Sequence, residues 1–226
     1  MISVLCPTRG RPEAAIDLYK SFIDTQKFKN EILFALQNDD DQLPVYIELF
    51  EKNSVNYTVS ESRPTTYLWN SLASIAKGDL LTLIGDDVII ETKNWDEIVE
   101  TYASKIPDKL FVITVNEGRT RKIDGRMTCP HPTVHKRWYE TFGFFVPPFF
   151  QHRYIDTYLQ NLAIAVDRFI EIPEVSFKHL KFNYWKDNTG QKSRKWLEYD
   201  KFIYENVSSR YFEKDLEVLR NKIFYE

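Results

Sequence analysis

Two adjacent carboxylates, Asp86 and Asp87, follow Asp79 to Ile84, the most hydrophobic strand candidate in the sequence. Carboxylates placed side by side at the end of an apolar strand repel each other and lose hydration, and a bound divalent cation removes both penalties. Mg²⁺ and Mn²⁺ accept carboxylate oxygens and also bridge the oxygens of a diphosphate. The pair therefore predicts a metal site for a diphosphate group. The alternative is a pair of solvated turn carboxylates, one of which caps the next helix.

Polar segments also follow two other strand candidates. Ile2 to Cys6 is a short apolar run that leads into Pro7-Thr8-Arg9, and Glu31 to Leu36 is followed by a polar cluster over residues 37–41. Strand and helix signals alternate over residues 1–115, which predicts an α/β fold with a mostly parallel sheet flanked by helices. Because ligands bind beyond the carboxyl ends of such strands, we expect the three segments to meet in one crevice.

Two further side chains have positions that suit chemistry. Asp156 opens a predicted helix, where an aspartate most often caps the helix or complements its dipole. His179 follows a short strand candidate, and a single histidine is more often structural than a metal ligand. His131, His135 and His152 lack the spacing of metal ligands, so we expect structural roles for them.

The composition of the 226-residue chain favours one globular domain with a C-terminal elaboration, because 43% of its residues are hydrophobic and 28% are charged. Only 7 glycines are present, which argues against a Gly-rich phosphate-binding loop. Cys6 and Cys129 are the only cysteines, so a reducing compartment is favoured over a disulfide framework. With no signal-peptide core and no apolar run of membrane-spanning length, we expect a cytoplasmic protein without integral membrane association.

Charge is distributed unevenly along the chain. The net charge is −3, which argues against a protein that coats nucleic acid along its whole surface. Residues 1–118 hold 11 Lys/Arg against 19 Asp/Glu, a net of −8, whereas residues 119–226 hold 19 against 14, a net of +5. We interpret 1–118 and 119–226 as two functional halves of one domain; segregated solvated charges are the alternative.

Four segments resemble family 2 glycosyltransferases with the GT-A (Rossmann-like) fold, and the resemblance covers residues 1–180. Ile2 to Pro12 is similar to their opening strand and loop, and Gly78 to Val88 is similar to the strand that leads into their DXD metal motif. Thr92 to Asp96 matches the Thr-x-x-Trp-Asp of viral members, and Lys178-His179 resembles the late histidine that completes their metal shell.

The resemblance implies a metal-dependent transferase that uses a UDP-sugar donor and Mn²⁺ or Mg²⁺. It implies metal ligands, nucleotide-binding residues and a base-binding aspartate at the matching positions. The metal ligands are Asp86, Asp87 and His179; the nucleotide contacts are Pro7, Thr8, Arg9, Arg11 and Arg63; the base ligand is Asp39 or Asp40. The motif here reads Gly85-Asp86-Asp87-Val88 and not Asp-x-Asp, so either carboxylate could be the direct metal ligand while the other binds sugar or ribose.

An inverting transferase also needs a carboxylate that deprotonates the acceptor hydroxyl. The resemblance implies that this base opens a helix after the acceptor loop, and Asp156 has the best matching position. Glu140, Glu171 and Glu174 are weaker candidates for the same role.

With this resemblance, residues 1–118 are interpreted as the nucleotide-sugar-binding half of the domain, and residues 119–226 as its acceptor-binding half with the C-terminal helices. The acceptor-binding half carries basic residues interleaved with aromatic ones. Residues 119–201 hold 15 Lys/Arg against 9 Asp/Glu. Basic residues form two clusters, the second beside Tyr184, Trp185 and Trp196: Arg119, Arg121, Lys122 and Arg126, and then Lys186, Lys192, Arg194 and Lys195. Such a composition suits a polyanion with stacking bases, and together with the viral segment it favours a hydroxymethylated base in phage DNA, in the host cytoplasm. The alternatives are a transferase for a surface glycan or lipid-linked sugar, and a non-catalytic nucleotide-binding module.

Overall fold

The structure, a computed structural model, describes residues 1–118, 122–123, 125–180 and 188–225. The helices in these ranges are α1 (Pro12–Thr25), α2 (Leu43–Lys52), α3 (Thr65–Ile75), α4 (Trp95–Ala103), α5 (Lys136–Phe142), α6 (Ile155–Ala165), α7 (Asn188–Asn206) and α8 (Ser208–Phe224). The strands are β1 (Ile2–Pro7), β2 (Glu31–Gln37), β3 (Asn56–Ser60), β4 (Leu80–Leu83), β5 (Val88–Ile90), β6 (Val112–Asn116), β7 (Lys122–Ile123), β8 (Arg126–Met127), β9 (Thr133–His135) and β10 (Phe169–His179).

One sheet organises the molecule, with strand order β3-β2-β1-β4-β9-β6-β10-β5, while β7 and β8 form a separate pair. The neighbours within β3-β2-β1-β4 are parallel, and so are β6 and β10. β9 runs antiparallel between β4 and β6, and β5 runs antiparallel along β10. The parallel register brings the carboxyl ends of β1, β2 and β4 to one edge of the sheet.

Helices cover both faces of the sheet and close two hydrophobic cores. Alternation along β1 sends Leu5 into one core and Ile2, Val4 and Cys6 into the other. The Leu5 core is closed by α3, α5, α6, α7 and α8, and the opposite core by α1, α2 and α4. The predicted α/β architecture, a mostly parallel sheet flanked by helices, is thereby confirmed.

The strands β5 and β9 were not anticipated from the sequence. Each has three residues, which is too short to show an alternating pattern, and each forms because partner strands satisfy its backbone groups. The prediction that the first C-terminal helix begins at Trp196 is wrong, because α7 begins at Asn188. Residues 188–195 are almost entirely polar and give no apolar stripe from which a helix start could be read.

The strand β10 changes partner along its length. Its first part pairs with β6, the register shifts between Ile172 and Ser176 around Pro173, and its last residues pair with β5. Proline has no N–H for the ladder, which is why the irregularity falls there. In the β5 pairing His179 lies opposite Val88, and this register brings the histidine to the end of β4 where Asp87 lies.

The described helices include none that is both long and apolar enough to cross a bilayer.

Candidate active site

The three segments expected to meet do meet beyond the carboxyl ends of β1, β2 and β4. The hydroxyl of Thr8 donates to Asp86 Oδ2 over 2.7 Å, which joins the first loop to the third. The backbone N–H of Gly10 donates to Asp40 Oδ2 over 2.8 Å, and Arg9 pairs with Asp39 at 2.5 Å, which joins the first loop to the second. The predicted convergence of the three segments is therefore confirmed, and the place where these loops meet is called the crevice below.

Asp86 is 6% exposed, and both of its oxygens are occupied by neighbours. Arg11 Nη1 donates to Oδ1 over 3.0 Å, and the Thr8 hydroxyl donates to Oδ2. The Thr8 oxygen in turn lies 2.7 Å from the hydroxyl of Tyr46, which accepts from the backbone N–H of Arg11 over 2.8 Å. Burial raises the pKa of Asp86 to about 6, against the opposing effects of Arg11 and Thr8. Asp86 thus anchors the first loop in a buried network.

The two aspartates after β2 have different surroundings. Asp40 is 8% exposed, and its carboxylate accepts from the backbone N–H groups of Gly10 and Gln42, so it fixes the turn. Asp39 is much more open, with a side chain 42% exposed beside the Arg9 guanidinium. Of the two predicted base ligands, Asp39 is therefore the more accessible to a bound molecule.

Arg63 lies close to these residues at the mouth of the crevice. Its backbone carbonyl accepts from Gln37 Nε2 over 2.9 Å, which ties it to the end of β2. Its guanidinium pairs with Glu61 at 3.0 Å and lies 5.5 Å from the ring of Tyr67. Gln37, which contacts the Arg63 backbone, also accepts from Arg9 Nη1 over 3.3 Å, so the end of β2 links the two arginines.

Asp87 faces a different group of residues from Asp86. Its Oδ2 lies 2.9 Å from Nε2 of His179, and Nδ1 of the same ring lies 3.2 Å from Oε2 of Glu117. The backbone N–H of His179 also donates to the carbonyl of Glu117 over 3.1 Å. A Cβ on Gly85 would come within 2.7 Å of Asp87 Oδ1, so a larger residue at position 85 would displace this carboxylate from its present position.

The pKa of Glu117 reflects this arrangement. Burial alone raises it, but the hydrogen bonds with His179 and Thr128 hold the pKa of Glu117 below its usual range. An ionised Glu117 behind His179 orients the ring, in the manner of the carboxylates that support metal-binding histidines. Glu117 was missed in the sequence reasoning, although its place immediately after β6 is the same strand-end signal that singled out Asp86 and Asp87.

The donor atoms of Asp87 and His179 are of the kinds that bind a divalent cation. A carboxylate oxygen and an imidazole nitrogen lie next to each other at the crevice, with Glu117 as support behind the ring. Among the described residues, no group of three or more His, Cys, Asp or Glu side chains is arranged to hold a metal ion by itself. Mg²⁺-type ions commonly take only one or two protein ligands and complete their shell with phosphate and water, so two ligands are sufficient.

Asp156 lies in the first turn of α6, directly after a segment with an unusual backbone conformation. Tyr154 adopts a left-handed backbone conformation, φ +64°, immediately before α6 begins at Ile155. Burial raises the pKa of Asp156, the backbone N–H of Thr157 and the charge of Arg153 oppose the shift, and the charge of Glu117 adds to it. Asp156 therefore lies within electrostatic range of Glu117, the carboxylate that contacts the ring of His179.

The three weaker candidates for the base face elsewhere. Glu171 accepts from the backbone N–H of Met127 over 2.5 Å and holds the β7–β8 pair. Glu174 accepts from the Tyr102 hydroxyl at 2.8 Å. Glu140 is exposed on α5 near His135. His135 pairs with Leu80 at the amino end of β4, which is the end of the strand opposite the crevice.

The remaining histidines differ in their relation to the site. His131 is 4% exposed, and its ring lies 5.3 Å from that of His179. The ring of His152 stacks on Trp69. Burial lowers the pKa of His152 to about 4; the positive charges of Arg153 and Arg11 add to this shift, and the negative charge of Asp87 opposes it. His152 thus lies beside the crevice as a neutral packing group.

Most of the basic residues predicted to meet the acceptor lie outside the part of the chain whose side chains the structure describes. These are Arg119, Arg121, Lys122, Lys186, Lys192, Arg194 and Lys195, together with Tyr184 and Trp185. Within the described part, Arg126 and Arg153 are exposed.

Comparison with solved structures identifies the fold, while no protein-family model and no curated protein matches the sequence. The mannosyltransferase PcManGT from Pyrobaculum calidifontis, in complex with GDP-Man and Mn²⁺, superimposes with a TM-score of 0.67 at 13% identity, over 99% of this chain and 70% of that one. TarS from S. aureus superimposes with a TM-score of 0.61 at 13% identity, over 92% of this chain and 44% of that one. Its residue 1–349 form in complex with UDP gives 0.59 at 14% identity, over 99% and 72%.

These neighbours are glycosyltransferases, and the likeness extends over almost the whole of the present chain. It covers the strands whose ends form the crevice as well as the helices on both faces of the sheet. The chain therefore has a GT-A-like glycosyltransferase fold.

Proposed function

We propose that the protein is a metal-dependent glycosyltransferase that moves a sugar from a nucleoside-diphosphate donor, UDP-linked, to a hydroxyl acceptor. The observation that carries the proposal is the crevice itself, where Asp87 with His179 and the Asp86–Arg11 pair lie beyond neighbouring strand ends. The neighbours in complex with GDP-Man and Mn²⁺ and with UDP support a sugar nucleotide and a divalent metal as ligands of this protein.

In this proposal Asp87 and His179 hold Mn²⁺ or Mg²⁺, which would neutralise the charge that develops on the departing diphosphate. Arg9 and Arg63 at the mouth of the crevice add positive charge for the same phosphates. Asp39 accepts a hydrogen bond from the nucleobase, while Asp86 holds Arg11 and Thr8 in the loop that contacts the nucleotide. Pro7, which ends β1, directs that loop toward the donor.

Asp156 is the proposed base that removes the proton from the acceptor hydroxyl, which gives a single displacement with inversion. Its support is its position at the start of α6 and the electrostatic influence of Glu117 on it. A raised pKa suits a general base better than an ordinary carboxylate does, because the proton affinity is higher. Glu140, Glu171 and Glu174 have other partners or face away.

A donor screen tests the proposal at its first step. With UDP-linked and GDP-linked sugars at about a hundred times their Kd, binding to the native state should stabilise the protein by about 2.7 kcal/mol. For a domain of this size that corresponds to a rise in Tm of about 5–10 °C. The rise is expected for a UDP-sugar with Mn²⁺ and is expected to disappear when EDTA replaces the metal. A flat melting curve across all donors would contradict the proposal.

For the acceptor we propose a hydroxymethylated base in duplex DNA, supported by the net positive charge of residues 119–201 and the exposed Arg126 and Arg153. Such transfer requires extrusion of the base from the duplex. Labelled sugar is expected to appear on hydroxymethylated duplex and not on unmodified duplex, with a rate that falls steeply as salt rises. Equal transfer to a neutral glycan at any salt would instead favour the glycan or lipid-linked acceptor.

If the protein is instead a non-catalytic nucleotide-binding module on the same fold, different results are expected. It would bind the nucleotide yet release no sugar with any acceptor or with water, and Asp86→Ala would change only its stability.

A further inference from the structure

The loop that leads into the proposed base is held by α3 on one side. The Thr66 hydroxyl donates to the carbonyl of Phe150 over 2.7 Å, and the Thr66 N–H donates to that of Gln151 over 3.3 Å. The ring of His152 stacks on Trp69 with centroids 6.4 Å apart. Through Trp69, whose Nε1 donates to the carbonyl of Leu5, this contact reaches β1. One wall of the loop is therefore tied to the sheet.

On its opposite side, the loop is held by the carboxylate of one residue on α7, Asp200. Asp200 is fully buried, its Oδ1 accepts from the N–H of Gln151 over 2.7 Å, and its Oδ2 accepts from His152 and Arg153 over 2.9 and 2.8 Å. Hydrogen bonds from N–H groups to a carboxylate are about twice as strong as neutral ones. Three consecutive residues of the loop are thus fixed by one side chain that lies 47–49 positions later in the chain.

The same face of α7 also holds the residue at which the loop becomes a helix. Tyr204, one turn after Asp200, stacks on Tyr154 with ring centroids 4.6 Å apart and planes 12° apart. Tyr154 has a left-handed backbone, which a non-glycine residue keeps only where its surroundings hold it. Tyr154 stands two residues before Asp156, so its conformation sets the direction in which α6 presents that carboxylate.

We propose that Asp200, assisted by Tyr204, is a positioning residue for the transfer reaction: it fixes residues 151–154 so that Asp156 faces the acceptor hydroxyl. The inference rests on the proposed function, because it needs Asp156 to be the base. Packing of the C-terminal helices has separate support, since Ile203, Leu216 and Leu219 lie in the core and Asp215 bonds the Tyr158 hydroxyl at 2.8 Å. The bonds of Asp200 go to the loop backbone, and for that reason its removal should affect the loop before the fold.

The variant Asp200→Asn tests this, because an amide NH₂ replaces one oxygen and faces N–H donors that it cannot accept. Asp215→Asn is the matched control, since it changes another buried carboxylate of the C-terminal helices while an amide oxygen still accepts from Tyr158. In Asp200→Asn, hydrogen exchange of the amides of residues 151–153 should be at least tenfold faster, and in the control it should not change.

Turnover supplies the second readout. With UDP-glucose, UDP-GlcNAc and GDP-mannose as donors and water as acceptor, Asp200→Asn should lower kcat at least tenfold while KM for the donor and the Kd of UDP with Mn²⁺ stay within twofold. A merely structural role would lower donor affinity and kcat together, in both variants. Should Asp200→Asn fail to fold, Tyr204→Leu keeps the helix and is expected to lower kcat in the same selective way, to a smaller extent.

Wild-type kcat in Asp200→Asn, or equal losses in Asp200→Asn and Asp215→Asn, would overturn the inference and leave the proposed function standing. A wild-type protein that releases no sugar from any of the donors would overturn both together.

Discussion

Asp156→Asn is expected to lower the rate of glycosyl transfer by a factor of about 10²–10⁴, the range that general base catalysis supplies. The amide keeps the shape of the carboxylate but cannot accept the proton of the acceptor hydroxyl. The Kd of UDP with Mn²⁺ is expected to stay within about twofold of wild type, because the proposed donor contacts are Asp87, His179 and the first loop and do not include Asp156. Single-turnover assays together with calorimetry separate the two quantities.

The matched control for this variant is Asp167→Asn, which removes a carboxylate just after the other end of α6. Asp167 is exposed and has a φ of +56°, a conformation that asparagine tolerates well. Transfer by the control should equal that of wild type. If Asp156→Asn turns over at the wild-type rate, another group removes the proton and the assignment is wrong.

The pH dependence of transfer follows from the same carboxylate. A general base must be ionised, and burial together with the charge of Glu117 raises the pKa of Asp156 above the ordinary value of 3.8, while Arg153 and backbone N–H groups oppose the shift. Activity should therefore fall as pH is lowered through this raised pKa, at a higher pH than an exposed aspartate would give. In Asp156→Asn the residual rate should lack this acid limb.

Asp87→Ala is expected to abolish the Mn²⁺-dependent part of UDP binding. Wild-type protein with UDP at about a hundred times its Kd should be stabilised by about 2.7 kcal/mol, and most of this gain should disappear in the variant. The reason is that His179 would be left as the single ligand at this place. Thermal melts with UDP, with and without Mn²⁺, measure the difference for each variant.

Glu117→Gln separates a supporting role from a ligand role. Loss of a carboxylate behind a metal-binding histidine typically weakens metal affinity about 10–100-fold, so an intermediate loss is expected. Glu91→Gln is the nearby control, because Glu91 pairs at 3.2 Å with Lys178 on the surface and such exposed pairs contribute at most about 1 kcal/mol. An Asp87→Ala protein that keeps the full Mn²⁺-dependent shift would show that the metal is held elsewhere.

The sequence was sufficient to predict that the loops after β1, β2 and β4 converge, since parallel strands of one sheet share an edge. It was not sufficient to predict that Asp86 and Asp87 have different contacts and therefore different roles. Asp86 and Asp87 lie in a turn, where the sequence gives no regular alternation of side-chain direction. Their different roles depend on Tyr46 and on His179, which is 92 positions from Asp87.

The role of Asp200 was also beyond sequence reasoning, for a different physical reason. Its partners are backbone N–H groups, which every residue but proline has, so no residue type in the loop marks the contact. Glu117, in contrast, could have been found, because it follows β6 as Asp86 follows β4. A search for polar residues after every strand, and not only after the first ones, would have included it.

The insertion of β9 between β4 and β6 has a consequence for how the chain could be divided into modules. A fragment of residues 1–118 would lose β9, which joins β4 to β6, and β10, which joins β6 to β5. It would leave β6 and β5 without their partner strands and would expose one edge of β4. It would also lack His179. The acidic first half is therefore not a donor-binding cassette to which different acceptor halves could be fused, and diversification of the acceptor should proceed through loops and terminal helices grafted onto an unbroken sheet.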